Sequence, residues 1–347
     1  RNLARVLASN KISMPIICTP DGVVVNGIGR LQLAAERKEE FINVVTINHD
    51  EAKLANAMLN LLSMDFDIHT RYEDMIRYNS FRRIRRTRSS LGRGFIFSVA
   101  GNSVTKDFDF TKDYNVKKWI KTHGTSVIDF GAGHLHETNM LRKAGIHVNP
   151  FEPYRINKKE EIDKDASIAL INAFINEVST GKRYSSVFIS SVLNSIPFEK
   201  DRQHVVCICA ALCSKRTKLY AVASSTKHGN LSGVKGKNQL NERRSESAVF
   251  SLDYESGILL GDFKDKPKVQ KYHSNVEFYE LFKEFFDVVN VKYVTHNVEA
   301  VCAKPLQTNK QRLLDAIKFE FDLPYPDGST MGLVDEAIAA FKKRGVL

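Results

Sequence analysis

The chain has 347 residues, of which 43 % are hydrophobic and 26 % charged, an ordinary globular balance with room for two domains that each bury a core. Its formal net charge of +11 favours a polyanionic partner. No run of about 18 apolar residues occurs, so a membrane span is not expected. No signal peptide is visible, and a chain that starts at Arg1 leaves open a true N-terminus upstream; the expected location is the cytoplasm. The five cysteines, Cys18, Cys207, Cys209, Cys213 and Cys302, are too few and too apolar in setting for a disulfide framework. They lack the second ligand pair of a zinc site, so packed thiols and no metal are expected.

Residues 14–47 read as one unit. Pro15 to Cys18 is a short strand, Thr19-Pro20-Asp21-Gly22 is turn chemistry, and Val23 to Val25 is a second strand completing a hairpin. Gly27-Ile28-Gly29-Arg30 then opens an amphipathic helix, Leu31 to Arg37. Val44 to Ile47 is the next strand, and residues 51–63 are helical, with Leu54, Met58, Leu61 and Leu62 on one face. Glycines at a strand-to-helix turn let backbone N–H groups approach a phosphate, and Arg30 adds a fork of donors. Gly27, Gly29 and Arg30 are therefore candidate phosphate-binding residues. With the Val-Val-Thr-Ile strand and the Asp-Glu-Ala helix that follow, the stretch resembles the N-terminal domain of the ParB-like family. Ile28 stands where that family usually has His or another polar residue, so a DNA-positioning role stands beside a catalytic one. The predicted small α+β domain covers residues 1–65.

Residues 66–110 form a basic connector. It holds Arg71, Arg77, Arg82, Arg83, Arg85, Arg86, Arg88 and Arg93, interleaved with Tyr72, Tyr78 and Phe81. Arginine forks suit phosphates and aromatic faces suit unstacked bases. Only Glu73 and Asp74 are at hand to pair them. Arg82, Arg83, Arg85 and Arg86 are the candidate nucleic-acid contacts; a solvated helix face with scattered ion pairs is the alternative.

From Trp119 onward strands and helices alternate, which predicts a parallel sheet. Ser126 to Asp129 is a buried strand, Phe130-Gly131-Ala132-Gly133 a tight turn, His136 to Ala144 a helix, and His147 to Glu152 a second strand ending in an acid. Glu152 follows Asp129 by about 23 residues, close to the roughly 20 expected of an acid that grips ribose hydroxyls. A third glycine is absent, and Leu135 stands in its place. Tyr184 to Ser191 is the fourth-strand candidate and Lys218 to Ser224 the fifth. Phe286 to Val294 and Val298 to Lys304 close the sheet as adjacent strands.

The Asp-x-Gly-x-Gly turn, the segment after the fourth strand and the closing pair together resemble Rossmann-like (class I) S-adenosylmethionine-dependent methyltransferases over roughly residues 119–305. The resemblance implies an α/β fold, a parallel sheet with an antiparallel last strand, in a domain spanning 111–305. It implies S-adenosyl-L-methionine as cofactor, with Asp129, Gly131, Gly133, Glu152 and Ser190 binding it. The pairing with a ParB-like domain is similar to proteins of phage and prophage origin, which places the chain in a host cytoplasm.

After the fourth strand, Asn194-Ser195-Ile196-Pro197-Phe198 fits the amino-methyltransferase template, with Ile196 in place of the first proline. Asn194 or Ser195 would accept an amine N–H and Phe198 would stack on the base, so adenine N6 is the candidate acceptor; the plainer alternative is a strand-to-helix turn before the helix Glu199 to Leu212. A cytosine C5 mechanism needs a Pro-Cys thiolate, and none exists. Lys227 to Arg244 is a glycine-rich basic insertion at the substrate edge, with Lys235, Lys237 and Arg243 as candidate phosphate contacts or as part of a surface loop. Residues 306–347 read as two amphipathic helices around Pro324-Tyr325-Pro326-Asp327-Gly328. The leading expectation is a methyltransferase acting on DNA. The alternatives are a ParB-like DNA-binding module with a non-catalytic methyltransferase fold, and a small-molecule or protein methyltransferase.

Overall fold

The structure is a computed structural model that describes residues 15–56, 113–157, 161–196, 198–227, 250–251, 255–261, 268–294, 297–325 and 327–347. The arginine cluster, the rest of the 66–110 connector, the end of the 51–63 helix, Pro197, and Lys235, Lys237 and Arg243 lie outside the described residues.

The N-terminal part contains β1 (Ile16–Cys18), β2 (Val24–Asn26), α1 (Ile28–Glu36) and β3 (Val44–Thr46), followed by a helical stretch at 49–56. β1 pairs antiparallel with β2 and parallel with β3, so the hairpin expected from the Asp21-Gly22 turn is present. The strands are three residues long and little covered: Val44 and Val45 are half exposed and Phe41 stands 89 % in the open.

The larger part begins with α2 (Asp113–His123), β4 (Ser126–Phe130), α3 (His136–Lys143), β5 (His147–Phe151), α4 (Lys164–Ser179), β6 (Ser186–Ser190), α5 (Glu199–Leu212) and β7 (Lys218–Ser224). It continues through β8 (Phe250–Ser251), β9 (Ile258–Gly261), β10 (Lys268–Lys271), α6 (Asn275–Lys283), β11 (Phe286–Val294), β12 (Asn297–Pro305), α7 (Lys310–Glu320) and α8 (Val334–Lys343). Six strands form one sheet in the order β11-β12-β7-β6-β4-β5. β5, β4, β6 and β7 run parallel, and β12 and β11 are antiparallel to their neighbours.

Successive side chains point to opposite faces, and both faces are buried, which is why these strands are continuous apolar runs. Val127, Phe188, Tyr220 and Val222 join Trp119 and Leu141 on one face. Ile128, Phe130, Val187, Ile189, Leu219 and Ala221 join Phe174, Ile208 and Phe282 on the other. Phe130 and Phe151 stack on adjacent strands with ring centroids 4.2 Å apart, and truncating either would cost about 3–5 kcal/mol. The two C-terminal helices belong to this second face: α7 packs on α5 and α8 on α4, burying Leu313, Ile317, Phe321 and Phe341 completely.

Between β7 and α6 lies a small antiparallel sheet in the order β10-β9-β8. Sequence reading places only a basic insertion there. A capping box, Ser274 with Glu277, starts α6 and fixes where the insertion rejoins the main sheet. Among the described residues no helix is long and apolar enough to cross a membrane, and no cluster of His, Cys, Asp and Glu is placed to hold a metal ion. The five cysteines are free, and burial pushes the Cys207 thiol up to about 11.

Candidate active site

The turn after β4 is built from backbone. The N–H groups of Gly131 and Ala132 both donate to the Phe151 carbonyl, at 2.7 and 3.0 Å, so the end of β5 anchors the turn. Gly131 has φ of +85°, and a Cβ there would lie 2.2 Å from Cγ2 of Val192. Glycine is required both for the left-handed backbone and for the close approach of the segment after β6. Gly133 also has positive φ, with open space where a Cβ would be. Leu135, standing where a third glycine was sought, adopts φ of +59° as the residue before α3, so the position keeps a glycine-like backbone without the glycine.

Two acids lie under the turn. The Thr138 hydroxyl donates to Oδ2 of Asp129 at 2.6 Å. Glu152 has no exposed surface. Its Oε2 accepts from the Gly133 N–H at 2.6 Å and its Oε1 from the Tyr154 N–H at 2.9 Å. The Arg155 guanidinium donates to the Gly133 carbonyl at 2.7 Å, holding the turn from the other side. Burial pushes both carboxyls up to about 7. The sequence sets Glu152 on the ribose hydroxyls; in the structure each of its oxygens already accepts one backbone N–H beside the turn.

Ser190 ends β6, and its hydroxyl is buried with no hydrogen-bond partner among the described residues. The chain then makes a 3-10 turn, Leu193–Ser195, and Val192 just before it is the residue that meets Gly131. The expected acceptor turn therefore lies directly against the glycine turn. Asn194 is buried; its amide donates to Oε1 of Gln270 at 2.9 Å, while its own Oδ1 has no partner among the described residues. Ser195 and Phe198 are half-buried, and Phe198 is the residue before α5.

Sequence reading passed over what lies opposite. Gln270 and Lys271 are on β10, and His273 follows. The His273 backbone bonds to both sides of the β7 end: its N–H donates to the Ser224 carbonyl at 2.9 Å and its carbonyl accepts from the Thr226 N–H at 3.0 Å. Lys271, 1 % exposed, reaches Glu255 and Glu277 at 2.9 Å each and the Ser256 carbonyl; Arg202 of α5 pairs with the same Glu255 and donates to the Ile196 carbonyl. Buried charges survive only when matched in this way, and the network pins the small sheet onto the acceptor turn. The one legible trace of it in the sequence is the Ser274-Glu277 capping box.

In the N-terminal part, Arg30 folds back on its own strands. It donates to the Pro15 carbonyl at 3.2 Å and to Oδ1 of Asn26 at 3.3 Å, with its guanidinium beside the Cα of Gly27. Gly27 has φ of +101°, and Gly29 faces open space. Both bonds come from Nη2, and Nε has no hydrogen-bond partner among the described residues, so the guanidinium keeps a donor to spare.

No protein-family model matches the sequence, and a search of curated proteins finds no match. Solved structures do match. The chain is similar to the CcbJ methyltransferase from Streptomyces caelestis, at 9 % identity and TM-score 0.34 over 61 % of this chain and 95 % of that one. It is similar to an S-adenosylmethionine-dependent methyltransferase from Clostridium acetobutylicum, at 10 % identity and TM-score 0.36 over 57 % and 92 %. A third is a methyltransferase of the same cofactor from Bacteroides fragilis, in complex with S-adenosyl-L-homocysteine, at 10 % identity and TM-score 0.33 over 55 % and 77 %.

Proposed function

We propose that this chain is an S-adenosylmethionine-dependent methyltransferase that methylates an exocyclic amino group of a nucleic-acid base, with adenine N6 of DNA as the first acceptor to test. The observation that carries the reading is the Asn194 carbonyl oxygen, buried and unpartnered on a turn that abuts the glycine turn. A buried acceptor without a donor costs about 1–3 kcal/mol, and the N–H of an amine is the group that would relieve it.

The residues around the glycine turn fit the cofactor. The Gly131 approach, the open space above Gly133, the buried acids Asp129 and Glu152 and the orphaned Ser190 hydroxyl lie at the carboxyl end of a parallel sheet, where such folds bind nucleotides. Asp129, Gly131 and Gly133 take the methionine end, Glu152 takes the ribose hydroxyls once its bond to Gly133 opens, and Ser190 adds a hydroxyl. When bound, the cofactor supplies an electrophilic methyl carbon on a positively charged sulfur. The protein's own work is alignment. Asn194 accepts one amine N–H and turns the nitrogen lone pair toward the donor, Ser195 offers a second acceptor, and Phe198 stacks on the base.

A base in a duplex must be flipped, or met in a single strand. The net charge of +11 supports a nucleic-acid partner, as do Arg82, Arg83, Arg85 and Arg86 and the Lys235, Lys237 and Arg243 stretch. The ParB-like residues 1–65, with Gly27, Gly29 and Arg30, serve in this reading to position DNA. Transfer from methyl-labelled cofactor to DNA, RNA and a protein lysate tests it. Label in DNA that digests to N6-methyladenine is the expected result. Label confined to protein or small metabolites overturns the nucleic-acid part, and no calorimetric binding of the cofactor overturns the methyltransferase part.

A further inference from the structure

We infer that His273 is a catalytic residue of this site, the proton acceptor for the methylated nitrogen through Nε2; the inference rests on the amino-directed reading above. Four observations converge on it. The backbone of His273 is bonded on both sides to the end of β7, at the carboxyl edge of the sheet. The ring is 1 % exposed, lies against the backbone of Leu193 and packs on Phe278 with centroids 5.0 Å apart. Among the described residues Nε2 has no hydrogen-bond partner, so the Leu193 contact falls to Nδ1. A carbonyl neighbour makes Nδ1 the donor and leaves the Nε2 lone pair free. Finally, Gln270, three residues earlier, holds the amide of Asn194 at 2.9 Å. The segment running from β10 into the histidine thus grips the acceptor turn at both Leu193 and Asn194.

The two orphaned atoms are complementary to one chemical group. A primary amine bound for methylation presents one N–H that it keeps and one that it must lose. The Asn194 oxygen suits the first and Nε2 the second. In the reaction the amine lone pair forms the new N–C bond, the methyl C–S bond breaks with its electron pair remaining on sulfur, and the nitrogen becomes a secondary ammonium. Nε2 takes one ammonium proton, leaving a neutral N-methylamine and an imidazolium that returns the proton to water.

The charged surroundings suit a base that starts neutral. The ring is flanked by Lys271 of β10 and Arg202 of α5, whose charges are answered by Glu255 and by Glu277 of α6; Ser224 and Ser225 at the end of β7 are uncharged. Burial, together with Arg202 and Lys271, holds the imidazole well below the usual histidine range, so it is neutral at pH 7.

The test has two arms. Nitrogen-15 NMR of the intact chain, with the His273 signals assigned by His273→Gln, is expected to show a neutral ring at pH 7 with the proton on Nδ1. An imidazolium or the Nε2–H form overturns the assignment, and this arm needs no methyl acceptor. In the second arm a single-stranded, adenine-containing oligonucleotide is the probe. His273→Gln is expected to lower turnover at least tenfold with cofactor affinity within twofold, and added imidazole is expected to restore part of it in His273→Gly. If the parent labels the oligonucleotide and His273→Gln matches it within twofold, His273 is only a packing residue. If the parent leaves the oligonucleotide unlabelled, the amino-directed reading fails, and the base assignment falls with it.

Discussion

At the glycine turn, each Glu152 oxygen holds a backbone N–H, Asp129 holds the Thr138 hydroxyl, and Gly133 is bonded through both its N–H and its carbonyl. Across the Gly131–Val192 contact, Asn194 and His273 each keep a buried polar atom with no partner among the described residues. In the first region the groups of the glycine turn itself are paired on folding, with the Ser190 hydroxyl at the end of β6 the unpaired exception beside it. The second is held just as firmly, by the Arg202, Glu255, Lys271 and Glu277 network, but its satisfied groups surround two that are not. Folding therefore completes the glycine turn's own bonds, while in the reading proposed above a ligand completes the turn after β6. The same network explains how an incompletely satisfied turn stays in place, since the partnered charges carry it.

The strongest way to break this contrast is to fill the contact between the two regions. Gly131→Val puts a side chain where Cγ2 of Val192 already stands and demands a left-handed backbone of a β-branched residue. Cofactor affinity by calorimetry is expected to drop at least a thousandfold, about 4 kcal/mol. Adding Val192→Ala to Gly131→Ala should recover part of the smaller loss that Gly131→Ala causes alone; if Gly131→Val binds as the parent does, the turn is not the cofactor site.

The buried acids sharpen the contrast through pH. The Glu152 carboxyl titrates at about 7 in the folded chain against a usual value of 4.5. Between those values the folded chain binds more protons than the unfolded one, so stability is fully present below about 4.5 and is lost as pH rises to about 7. The loss is on the order of 3 kcal/mol for this group. Glu152→Gln removes the titration but sets an amide N–H₂ against one of the two backbone N–H groups. Its melting temperature is expected to be lower than the parent's at pH 5 and to change less between pH 5 and 7. A parental stability that rises across that window would contradict the buried, protonated carboxyl.

The acceptor turn is expected to respond in the opposite sense, with binding intact and turnover lost. Asn194→Ala and Phe198→Ala should each cut turnover at least tenfold, about 1.4 kcal/mol in barrier, with cofactor affinity unchanged by calorimetry. Loss of cofactor affinity in Asn194→Ala would merge the two regions into one and remove the contrast.

Much of the frame is legible from residue runs. Val127-Ile128, Val187-Phe188-Ile189 and Leu219 to Val222 are long enough and apolar enough to be strands buried on both faces, and the Gly131 and Gly133 turn follows directly from its glycines. Leu135 misleads in one respect: its left-handed backbone meets the need that a missing third glycine would have filled. The direction of the Glu152 side chain is not legible, because spacing locates a residue along the chain and not the donor it will find. Arg30 is similar: the sequence does not say that its Nη2 bonds Pro15 and Asn26. The C-terminal helices are visible as amphipathic, but nothing in their own residues says that α7 covers α5 and α8 covers α4.

Alone, the sequence determined what depends on near neighbours: the strands, the glycine turn, the acid at the end of β5 and the polar turn after β6. Their causes are local, in backbone freedom at Gly131 and in the period of apolar side chains. Tertiary structure alone decided that Gln270 and His273 stand against Leu193 and Asn194, some 76 residues apart in the chain for the Asn194–Gln270 bond. That meeting depends on the pairing of β10 with β9, on the His273 bridge to the end of β7 and on a buried balance of two cations with two carboxylates, interactions between distant residues that have no period to read.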